Sequence, residues 1–528
     1  MSSITIPPSE TRRQPLARRL LLGLALATLF IHLLTNRNYG YFIDELYYLA
    51  CAEHLDFGYV DHPPIIAVVT WIERAILGDS LPAIRLMPAL AGALTVFLAG
   101  LLARALGGGR YAQGMAGFAT LFAPLLLYVH TILSVNALDP IFWTIAAWLL
   151  VLILDRSDAS SPPGEGSTRR LWILLGATVG VGLQNKISLL FLGLGLVVGL
   201  VLTSHRRLLL TRWPYVAGAI ASIIFLPYVL WQIPRGWPTL EFMHNAATYK
   251  NRRMSIVEFI AEHALEIHPL NLVLVVIGLW FFFFSPRGKR YRLFGWTYVA
   301  ILLLFLVQNA KPYYLGSIYP IMLAAGAVGL ESLLSGVRSR WPRPAIVGVM
   351  AVSGLLVAPI TLPVLPIETF IPYQRALLGQ TLASSEEKEV GPLPQHFADM
   401  FGNEELVKLV AEVYNELPPE ERKRCAIYAD SYPQAGAIDL FGSRYGLPKA
   451  ICGHNSYWLW GPGDSRGDIV IVVGDSYEEV SLAFEEVTLR RVFCHPYVMP
   501  WRNYFPIYVC RKPRVSLKDI WPETKEFV

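Results

Sequence analysis

The sequence YFIDELYY at residues 41–48 follows an apolar run, 16–34, that is long enough to cross a bilayer. Its adjacent carboxylates, Asp44 and Glu45, lie at the mouth of a predicted membrane helix, where charge is costly unless water, a cation or a reaction uses it. Acidic residues also suit the first turn of a helix, because they interact favourably with its dipole. The pair is therefore either catalytic or a feature of a helix start.

Composition indicates an integral membrane protein. Of the 528 residues, 54% are hydrophobic and 16% are charged, whereas soluble domains have roughly 25% charged residues. Basic residues flank the first apolar run and predict a cytoplasmic N-terminus: Arg12, Arg13, Arg18 and Arg19. No small-residue cleavage site follows that run and further spans come after it, so we predict a retained helix rather than a signal peptide.

We predict about eleven membrane spans of roughly 17–22 residues each. They lie near residues 16–35, 84–105, 111–130, 137–154, 171–185, 187–203, 213–232, 269–285, 293–309, 315–334 and 345–365. Basic residues fall at every second turn between them: Arg104 with Arg110, Arg156 with Arg169 and Arg170, His205 to Arg207, Arg287 to Arg292, and Arg338 to Arg343. The positive-inside rule places these turns in the cytoplasm, and an odd number of spans then places the C-terminal region outside.

The chain changes character near residue 380. From residue 381 onward it has 22 acidic and 16 basic residues, although the whole chain carries a net charge of +5. A helical pattern and then β-rich runs around an amphipathic stretch follow: Glu404–Glu416, Cys425–Ala429, Asp468–Val473, Tyr477–Glu486 and Tyr504–Cys510. We therefore predict a transmembrane domain over residues 1–380 and an extracytoplasmic α/β domain over residues 381–528.

Four of the five cysteines, Cys425, Cys452, Cys494 and Cys510, fall in this predicted exterior domain, and Cys51 lies near the acidic pair. Their spacing matches no zinc motif, because no C-x-x-C or paired histidine accompanies them. In an oxidising compartment the four allow two disulfides with three connectivities. The alternative is that they are buried thiols, and the sequence leaves both open.

Polar residues that would be costly in lipid cluster on one predicted side of the membrane. The first exterior loop, 36–82, is long, and its apolar-periodic stretches 45–55 and 65–77 predict short helices along the membrane face. Later exterior turns add further polar groups: Asn136, Asp139, Lys186, His244, Lys250, Arg252, Arg253, His263, His268 and Lys311 to Tyr314. This joint clustering predicts a functional site on the exterior side.

Carboxylates and cationic side chains clustered at a membrane surface suit a transfer reaction at a membrane-borne phosphate. A carboxylate can take the proton from an attacking acceptor hydroxyl or amine. Cations can offset the charge that grows on a departing phosphate. The sequence contains no Gly-rich phosphate loop, G-x-S-x-G elbow or H-E-x-x-H motif, so nucleotide hydrolysis, serine hydrolysis and zinc-protease chemistry lack support.

Four motifs together resemble those of the GT-C membrane glycosyltransferases: residues 41–48, Asp61-His62-Pro63-Pro64, Leu138-Asp139-Pro140 and Lys311-Pro312-Tyr313-Tyr314. Over about residues 15–335 the chain is most similar to bacterial members of the dolichyl-phosphate-mannose–protein mannosyltransferase and aminoarabinose transferase superfamily. The resemblance implies a polytopic α-helical fold of GT-C type. It also implies an inverting transfer of one hexosyl or pentosyl unit from a polyprenyl-phosphate donor to a protein, lipid or glycan of the cell envelope. The expected location is the bacterial inner membrane with the site outside, and no nucleic-acid partner is expected.

The resemblance also implies roles for individual residues. Asp44 would be the base or acceptor-positioning group, with Asp139 as a second acidic residue and Glu45 turned about 100° away from Asp44 on a helix. Donor phosphate would be bound by residues of several exterior turns: Lys311, Tyr313, Tyr314, Arg252, Arg253, His62 and Lys186. Asp61 and His244 would hold a divalent metal ion, the candidate cofactor. His62 stands where the aminoarabinose transferases carry a lysine.

Two other functions are compatible with a polytopic chain. A transporter would show inverted repeats or broken helices with charges at the midplane, which this sequence does not show. A membrane-anchored saccharide-binding or assembly protein would act through the C-terminal domain. In that case the domain alone would bind a saccharide, and Asp44→Ala would leave function intact.

Overall fold

Three stretches of the chain, residues 14–157, 166–379 and 388–528, are described by the structure, a computed structural model. Arg12, Arg13 and the predicted domain boundary near residue 380 lie outside these stretches. We call residues 388–528 the C-terminal unit.

The part of the chain before the C-terminal unit is helical. Its α-helices are α1 (Arg18–Thr35), α2 (Ile43–Glu53), α3 (Ile65–Leu77), α4 (Leu81–Ile84), α5 (Leu86–Ala105), α6 (Arg110–Leu121), α7 (Pro124–Val129), α8 (Val135–Ser157), α9 (Gly166–Asn185), α10 (Leu189–Val201), α11 (Trp213–Gln232), α12 (Pro238–Asn245), α13 (Ile256–Ile267), α14 (Pro269–Phe284), α15 (Arg292–Val307), α16 (Tyr319–Ser335), α17 (Pro342–Thr361) and α18 (Ile367–Leu378). Tighter or wider turns lie between them: 3₁₀-helices Ser204–Leu210, Ile233–Arg235, Gly288–Tyr291 and Pro312–Ile318, and a π-helix at Ala246–Lys250.

Among the described residues, seven helical segments are long and apolar enough to cross a membrane: Arg18–Thr35, Leu81–Ala105, Val135–Ser157, Trp213–Arg235, Gly288–Val307, Pro312–Ser335 and Pro342–Thr361. Two bent pairs, α10 with Ser204–Leu210 and α13 with α14, raise the number to nine if each pair is one span. α6 and α10 have 12 and 13 residues, which gives about 18–20 Å at 1.5 Å per residue, less than the roughly 30 Å hydrocarbon core. A polytopic helical membrane protein is confirmed, and the number of about eleven spans stays a prediction.

The outer helices expose apolar side chains that suit lipid rather than water. On α1, Leu26 and Phe30 are exposed, and on α17, Val352 and Leu355 are exposed. The inner helices instead approach each other closely through small residues. A Cβ at Gly278 of α14 would lie 2.8 Å from the carbonyl oxygen of Met322 in α16, so glycine permits this backbone contact.

The loop between α1 and α4 contains the two predicted helices. α2 and α3 lie within two residues of the predicted stretches 45–55 and 65–77, so both helices are present, and their location along the membrane face stays a prediction. α3 ends at Gly78, whose φ of 82° is in the left-handed region that glycine adopts without strain. The chain then enters α4 and α5.

The C-terminal unit combines helices with one sheet. Its elements are α19 (Gln395–Ala398), α20 (Asn403–Glu416), α21 (Pro419–Arg422), β1 (Cys425–Ala429), α22 (Tyr432–Phe441), β2 (Ala450–Ile451), α23 (Ser456–Trp460), β3 (Ile469–Val473), α24 (Tyr477–Ala483), β4 (Phe484–Phe493), β5 (Phe505–Pro513) and α25 (Leu517–Ile520), with 3₁₀-helices at Gly442–Tyr445, Pro500–Arg502 and Trp521–Thr524. The strand order is β2-β1-β3-β5-β4. β2, β1 and β3 are parallel, and β5 pairs antiparallel with both β3 and β4.

This arrangement confirms the predicted α/β character and three predicted strands. β1 has the predicted bounds, and β3 and β5 begin one residue after the predicted runs. β4 was not predicted, and its first residues fall in the stretch Tyr477–Glu486 that the sequence indicated as amphipathic. The cysteines are free thiols, four of them buried, and burial raises the pKa of Cys425 and Cys510 to about 12. The structure therefore contains free thiols rather than disulfides.

Candidate active site

A buried carboxylate, that of Glu45, lies in the first turn of helix α2. Glu45, its third residue, accepts a hydrogen bond from the backbone N–H of Phe42 (2.8 Å), which satisfies a donor at the helix start. The Arg85 guanidinium donates to both Glu45 oxygens, at 2.8 and 2.7 Å, and the N–H of Leu133 donates to Oε1 at 3.0 Å. Both side chains of the pair are 0% exposed. The structure therefore argues against a catalytic role for Glu45, because its oxygens are already occupied away from solvent.

Arg85 extends this contact to the end of the first helix. Its guanidinium also donates to the carbonyl oxygens of Gly40 (2.9 Å) and Asn36 (3.3 Å). One buried ion pair thus joins the chain after α1, the start of α2 and the start of α5. Because Glu45 is held, the neighbouring residue Asp44 points in a fixed direction about 100° further around the helix.

Asp44 is partly buried and faces the C-terminal unit. Its Oδ1 accepts a hydrogen bond from the Tyr432 hydroxyl at 2.9 Å. Burial raises the pKa of Asp44 to about 6, while the Tyr432 hydrogen bond and the charge of Lys250 lower the pKa and Asp61 and Asp399 raise it. A carboxylate whose pKa lies close to neutral pH suits a general base.

Asp61 lies in the same part of the site. Its Oδ1 is 2.9 Å from the hydroxyl of Tyr47, one turn after Asp44 on α2. His62, in contrast, is 2% exposed and lies against the rings of Tyr48 and Tyr59, at 5.1 and 4.7 Å between ring centres. The prediction that His62 contacts the donor phosphate stays a prediction, and the structure places its ring among aromatic side chains.

Asp139 is the centre of a buried polar network. The hydroxyls of Ser188 and Ser317 donate to its carboxylate at 2.7 and 2.6 Å, and Lys186 Nζ lies 3.9 Å from Oδ2. The Asp139 side chain is 1% exposed. A catalytic role for Asp139 stays a prediction; in this structure its carboxylate contacts Ser188, Ser317 and Lys186.

Lys186 connects this network to the predicted tyrosines. Its Nζ lies 2.7 Å from Asn136 Oδ1 and 5.4 Å from the centre of the Tyr314 ring. The rings of Tyr313 and Tyr314 meet edge to face at 4.6 Å. Lys311 is half-buried just before the 3₁₀-helix that carries both tyrosines. The structure thus brings together these four residues predicted for the donor phosphate.

The remaining predicted residues are placed differently. Arg252 forms an ion pair with Glu262 of α13, and Arg253 is exposed. His244 lies in the last turn of α12, where its carbonyl oxygen accepts a hydrogen bond from the Thr248 hydroxyl. These contacts do not join Arg252, Arg253 or His244 to Asp44.

The predicted metal ion has no matching set of ligands. Across residues 14–157, 166–379 and 388–528, no three His, Cys, Asp or Glu side chains lie close enough to hold one ion. Asp61 has His62 Nε2 at 4.0 Å, and that ring is buried beside it. The residues present do not fit a protein metal site at Asp61 and His244, so the mechanism below includes no metal.

Sequence analysis missed three residues of this site. Arg85 carries a charge within the apolar segment Leu81–Ala105. A charge is energetically costly in such a segment, and this anomaly could have identified the residue from the sequence. Tyr432 and Ser456 had no local signal, since their partners Asp44 and Tyr47 are 388 and 409 positions away. Lys250 was counted among the exterior cations but received no role.

A separate cavity lies at the opposite end of α2. It has a volume of about 890 Å³ and lies between Glu53 and His54 of the first loop and the C-terminal unit. The Trp460 ring forms part of its wall and stacks on His54 at 4.2 Å. None of the residues predicted for the site lines this cavity.

Known proteins resemble this chain in sequence and in fold. Residues 61–231 match the family described as dolichyl-phosphate-mannose-protein mannosyltransferase. Over 283 residues the chain is 23% identical to the lipid A galacturonosyltransferase RgtD of Rhizobium johnstonii, an alignment that covers 52% of this chain and 56% of the relative. The chain therefore spans little more than half the length of this curated relative.

Two solved structures share the fold. ArnT from Cupriavidus metallidurans bound to undecaprenyl phosphate superposes with a TM-score of 0.59 and 14% identity, covering 93% of this chain and 97% of that one. The apo oligosaccharyltransferase of Archaeoglobus fulgidus superposes with a TM-score of 0.51 and 12% identity, covering 82% of this chain and 64% of that one.

The fold thus defines a class, the GT-C membrane proteins. Within this class, residues 61–231 are similar to the dolichyl-phosphate-mannose-protein mannosyltransferase family, and the fold is shared with ArnT. The resemblance predicted from residues 41–48 and from the turn at Asp61 is confirmed.

Proposed function

We propose that this protein is an inverting glycosyltransferase that moves one sugar from a polyprenyl-phosphate donor to an extracytoplasmic acceptor. The observation that carries the proposal is the Asp44 carboxyl, held by Tyr432 at the start of α2 with a pKa raised to about 6. The fold around it is shared with ArnT, whose structure holds undecaprenyl phosphate. RgtD, the curated relative, is a lipid A galacturonosyltransferase, which supports a glycolipid as one acceptor class.

The proposed reaction is a single displacement. The acceptor hydroxyl or amine attacks the anomeric carbon from the face opposite the phosphate, and Asp44 accepts its proton. The bond between the anomeric carbon and the phosphate oxygen breaks, and polyprenyl phosphate leaves with the electron pair. Because one displacement occurs without a sugar–enzyme intermediate, the anomeric configuration inverts.

The donor phosphate is proposed to lie near Lys186, Lys311, Tyr313 and Tyr314. Ammonium groups fixed before the reaction stabilise charge that grows on the leaving phosphate, without further reorganisation. The hydroxyls of Ser188 and Ser317 fix the Asp139 carboxylate, whose Oδ2 lies 3.9 Å from Lys186 Nζ. The proposed role of Asp139 is therefore to position Lys186 for the phosphate.

Both alternative functions are less well supported. A transporter does not account for a carboxyl with a raised pKa beside a bonded tyrosine at the exterior start of α2. A binding protein acting through the C-terminal unit would not need that unit to contact Asp44, yet Tyr432 does so. The contacts and the shared fold favour the enzyme.

A direct assay tests the proposal. Purified protein in detergent is incubated with a panel of polyprenyl-phosphate sugars and envelope acceptors, and released polyprenyl phosphate is measured by mass spectrometry. We expect acceptor-dependent release with at least one donor. No release from any donor, by protein that binds polyprenyl phosphate, would contradict the transferase function.

We predict that the C-terminal unit lies outside the cell membrane, on the side of Asp44. Cys494 is exposed while the other four cysteines are buried, so the wild-type chain carries a natural probe. A membrane-impermeant maleimide should label Cys494 from outside intact spheroplasts. Ser339→Cys in a Cys494→Ser background, in a turn predicted to be cytoplasmic, should react only after permeabilisation. Labelling of Cys494 only from the cytoplasm would rule out the mechanism.

We predict that Lys311→Met weakens binding of the polyprenyl-phosphate donor about 10- to 100-fold, the loss expected for one contact to a charged group. The alternative is that Lys311 only anchors its helix at the membrane surface, as long cationic side chains do. Donor affinity is measured by microscale thermophoresis on folded, monodisperse protein. Lys289→Met, an exposed lysine in a turn predicted to be cytoplasmic, is the matched control. Equal affinity in both variants would favour the anchor.

A further inference from the structure

The C-terminal unit contacts the first loop beside Asp44. The Tyr432 hydroxyl, at the start of α22, donates to Asp44 Oδ1 across 388 residues of sequence. α22 lies directly against α2, because Gly436 has no side chain: a Cβ there would lie 3.0 Å from the carbonyl carbon of Leu46. The two helices are therefore close enough for a short phenol to reach the carboxylate.

A second contact fixes the same interface. The Ser456 hydroxyl lies 2.7 Å from the Tyr47 hydroxyl and accepts from the backbone N–H of Val60 at 3.1 Å. Ser456 is fully buried, and the preceding Asn455 has φ 49°, a conformation that costs non-glycine residues energy and recurs at functional sites. These bonds tie the turn at residues 453–456 to the loop that also carries Asp61.

Neighbouring rings hold the Tyr432 side chain in place. Its ring lies 4.9 Å from the Tyr47 ring on one side and 4.9 Å from the His454 ring on another, between ring centres. His454 is 7% exposed, and its ring is fixed in turn by Nε2, 2.9 Å from the carbonyl oxygen of Val528. A phenol packed in this way can direct its hydroxyl to one acceptor.

We infer that Tyr432 is a positioning residue for Asp44, and that the C-terminal unit thereby completes the catalytic site of the transferase. The inference rests on the proposed function. In this role the Tyr432 hydroxyl occupies Oδ1 of the carboxylate, which leaves Oδ2 to accept the proton of the attacking acceptor. The C-terminal unit, which lies outside the motifs shared with the family, thus acts on the proposed reaction through one hydrogen bond.

The same bond has a consequence for pH dependence. A hydrogen bond to the ionised form of a carboxyl lowers its pKa, whereas burial raises it. Asp44 must be ionised to act as a base, so activity falls as the pH drops through its pKa. Removing the Tyr432 hydroxyl raises the pKa of Asp44, and the acidic limb of the rate profile therefore moves to higher pH.

Several other groups face Asp44, and they are unchanged when Tyr432 becomes phenylalanine. They come from α2 itself and from five other parts of the chain: Tyr48, Asp61, Tyr128, Lys250, Tyr313 and Asp399. Because these groups contribute equally to the pKa of Asp44 in both proteins, a difference in that pKa between wild type and Tyr432→Phe reports on the Tyr432 hydroxyl alone. The phenylalanine retains the ring that packs on Tyr47 and His454.

The test is the pH profile of kcat/KM in full-length Tyr432→Phe. We expect its acidic limb to move up by about one pH unit, which lowers kcat at pH 7 by about twofold because less Asp44 is ionised, with donor affinity unchanged. Tyr477→Phe, at an exposed tyrosine of the same unit, should match wild type. A Tyr432→Phe profile that superposes on wild type would overturn the inference.

A second measurement needs no turnover. Carbodiimide with glycine ethyl ester modifies protonated carboxyls, and peptide mass spectrometry follows modification of Asp44 as a function of pH, with exposed Asp464 as the internal reference. The midpoint for Asp44 should rise in Tyr432→Phe relative to wild type. If wild type lacks transferase activity but this midpoint shifts, the proposed function fails while the contact stands. An unchanged midpoint contradicts the contact itself.

Discussion

Asp44→Asn is expected to lower the rate of sugar transfer by about 10²–10⁴-fold, the usual contribution of a general base. Asparagine has nearly the same shape and can still accept the Tyr432 hydrogen bond, so donor affinity and thermal stability should remain close to wild type. The measurement is the initial rate of polyprenyl phosphate release at saturating donor. Asp464→Asn, an exposed aspartate far from α2 in sequence, is the matched control and should retain full activity.

The stereochemistry of the product tests the same assignment independently. A single displacement with Asp44 as base inverts the anomeric configuration of the donor, and nuclear magnetic resonance of the product reports it. Retention of configuration would require a covalent or otherwise double displacement and would contradict the mechanism. Near-normal turnover by Asp44→Asn would contradict the role of the residue, whatever the product.

Local sequence patterns predicted most of the fold because each element depends on its own residues. The strand Cys425–Ala429 is a continuous apolar run between polar segments, and its bounds were predicted correctly. β4 was missed because it is an edge strand, with Glu485, Glu486, Arg490 and Arg491 along its length and most of its residues exposed. Charged residues on an edge strand discourage pairing with other chains. The same charges interrupt the apolar alternation by which a strand is recognised in sequence.

The site was predictable only in part. Asp44 was found because a carboxylate next to a membrane helix is anomalous by itself. Tyr432 and Ser456 were missed because an ordinary tyrosine and serine gain their roles only when two distant segments of the chain meet. Such contacts depend on tertiary packing, which single-sequence patterns do not encode.

The different contacts of Asp44 and Glu45 show the same limit of sequence-based prediction. Adjacent helical residues diverge by about 100°, so the sequence indicated that Glu45 points elsewhere than Asp44 and matters less directly. It did not indicate what Glu45 contacts. That contact is Arg85, 40 positions away, and on this ground we propose that Glu45 is a structural anchor.

Glu45→Gln is accordingly expected to lower the free energy of unfolding by about 3–5 kcal/mol, the cost of leaving one partner of a buried ion pair uncompensated. The Arg85 guanidinium would retain its carbonyl acceptors but lose its counter-charge at 0% exposure. Thermal unfolding in detergent, followed by intrinsic fluorescence, should show a clearly lower midpoint.

Glu53→Gln provides the control on the same helix. Glu53 pairs with Arg74 at 2.9 Å, but its side chain is 33% exposed, and exposed pairs contribute only about 0–1 kcal/mol. Its unfolding midpoint should stay near wild type. The double variant Glu45→Gln with Arg85→Met removes both charges and should recover part of the lost stability, because an unpaired buried charge costs more than a missing pair. If Glu45→Gln unfolds at the same temperature as Glu53→Gln, the buried pair does not hold the start of α2, and Asp44 must be positioned by Tyr432 and its neighbours alone.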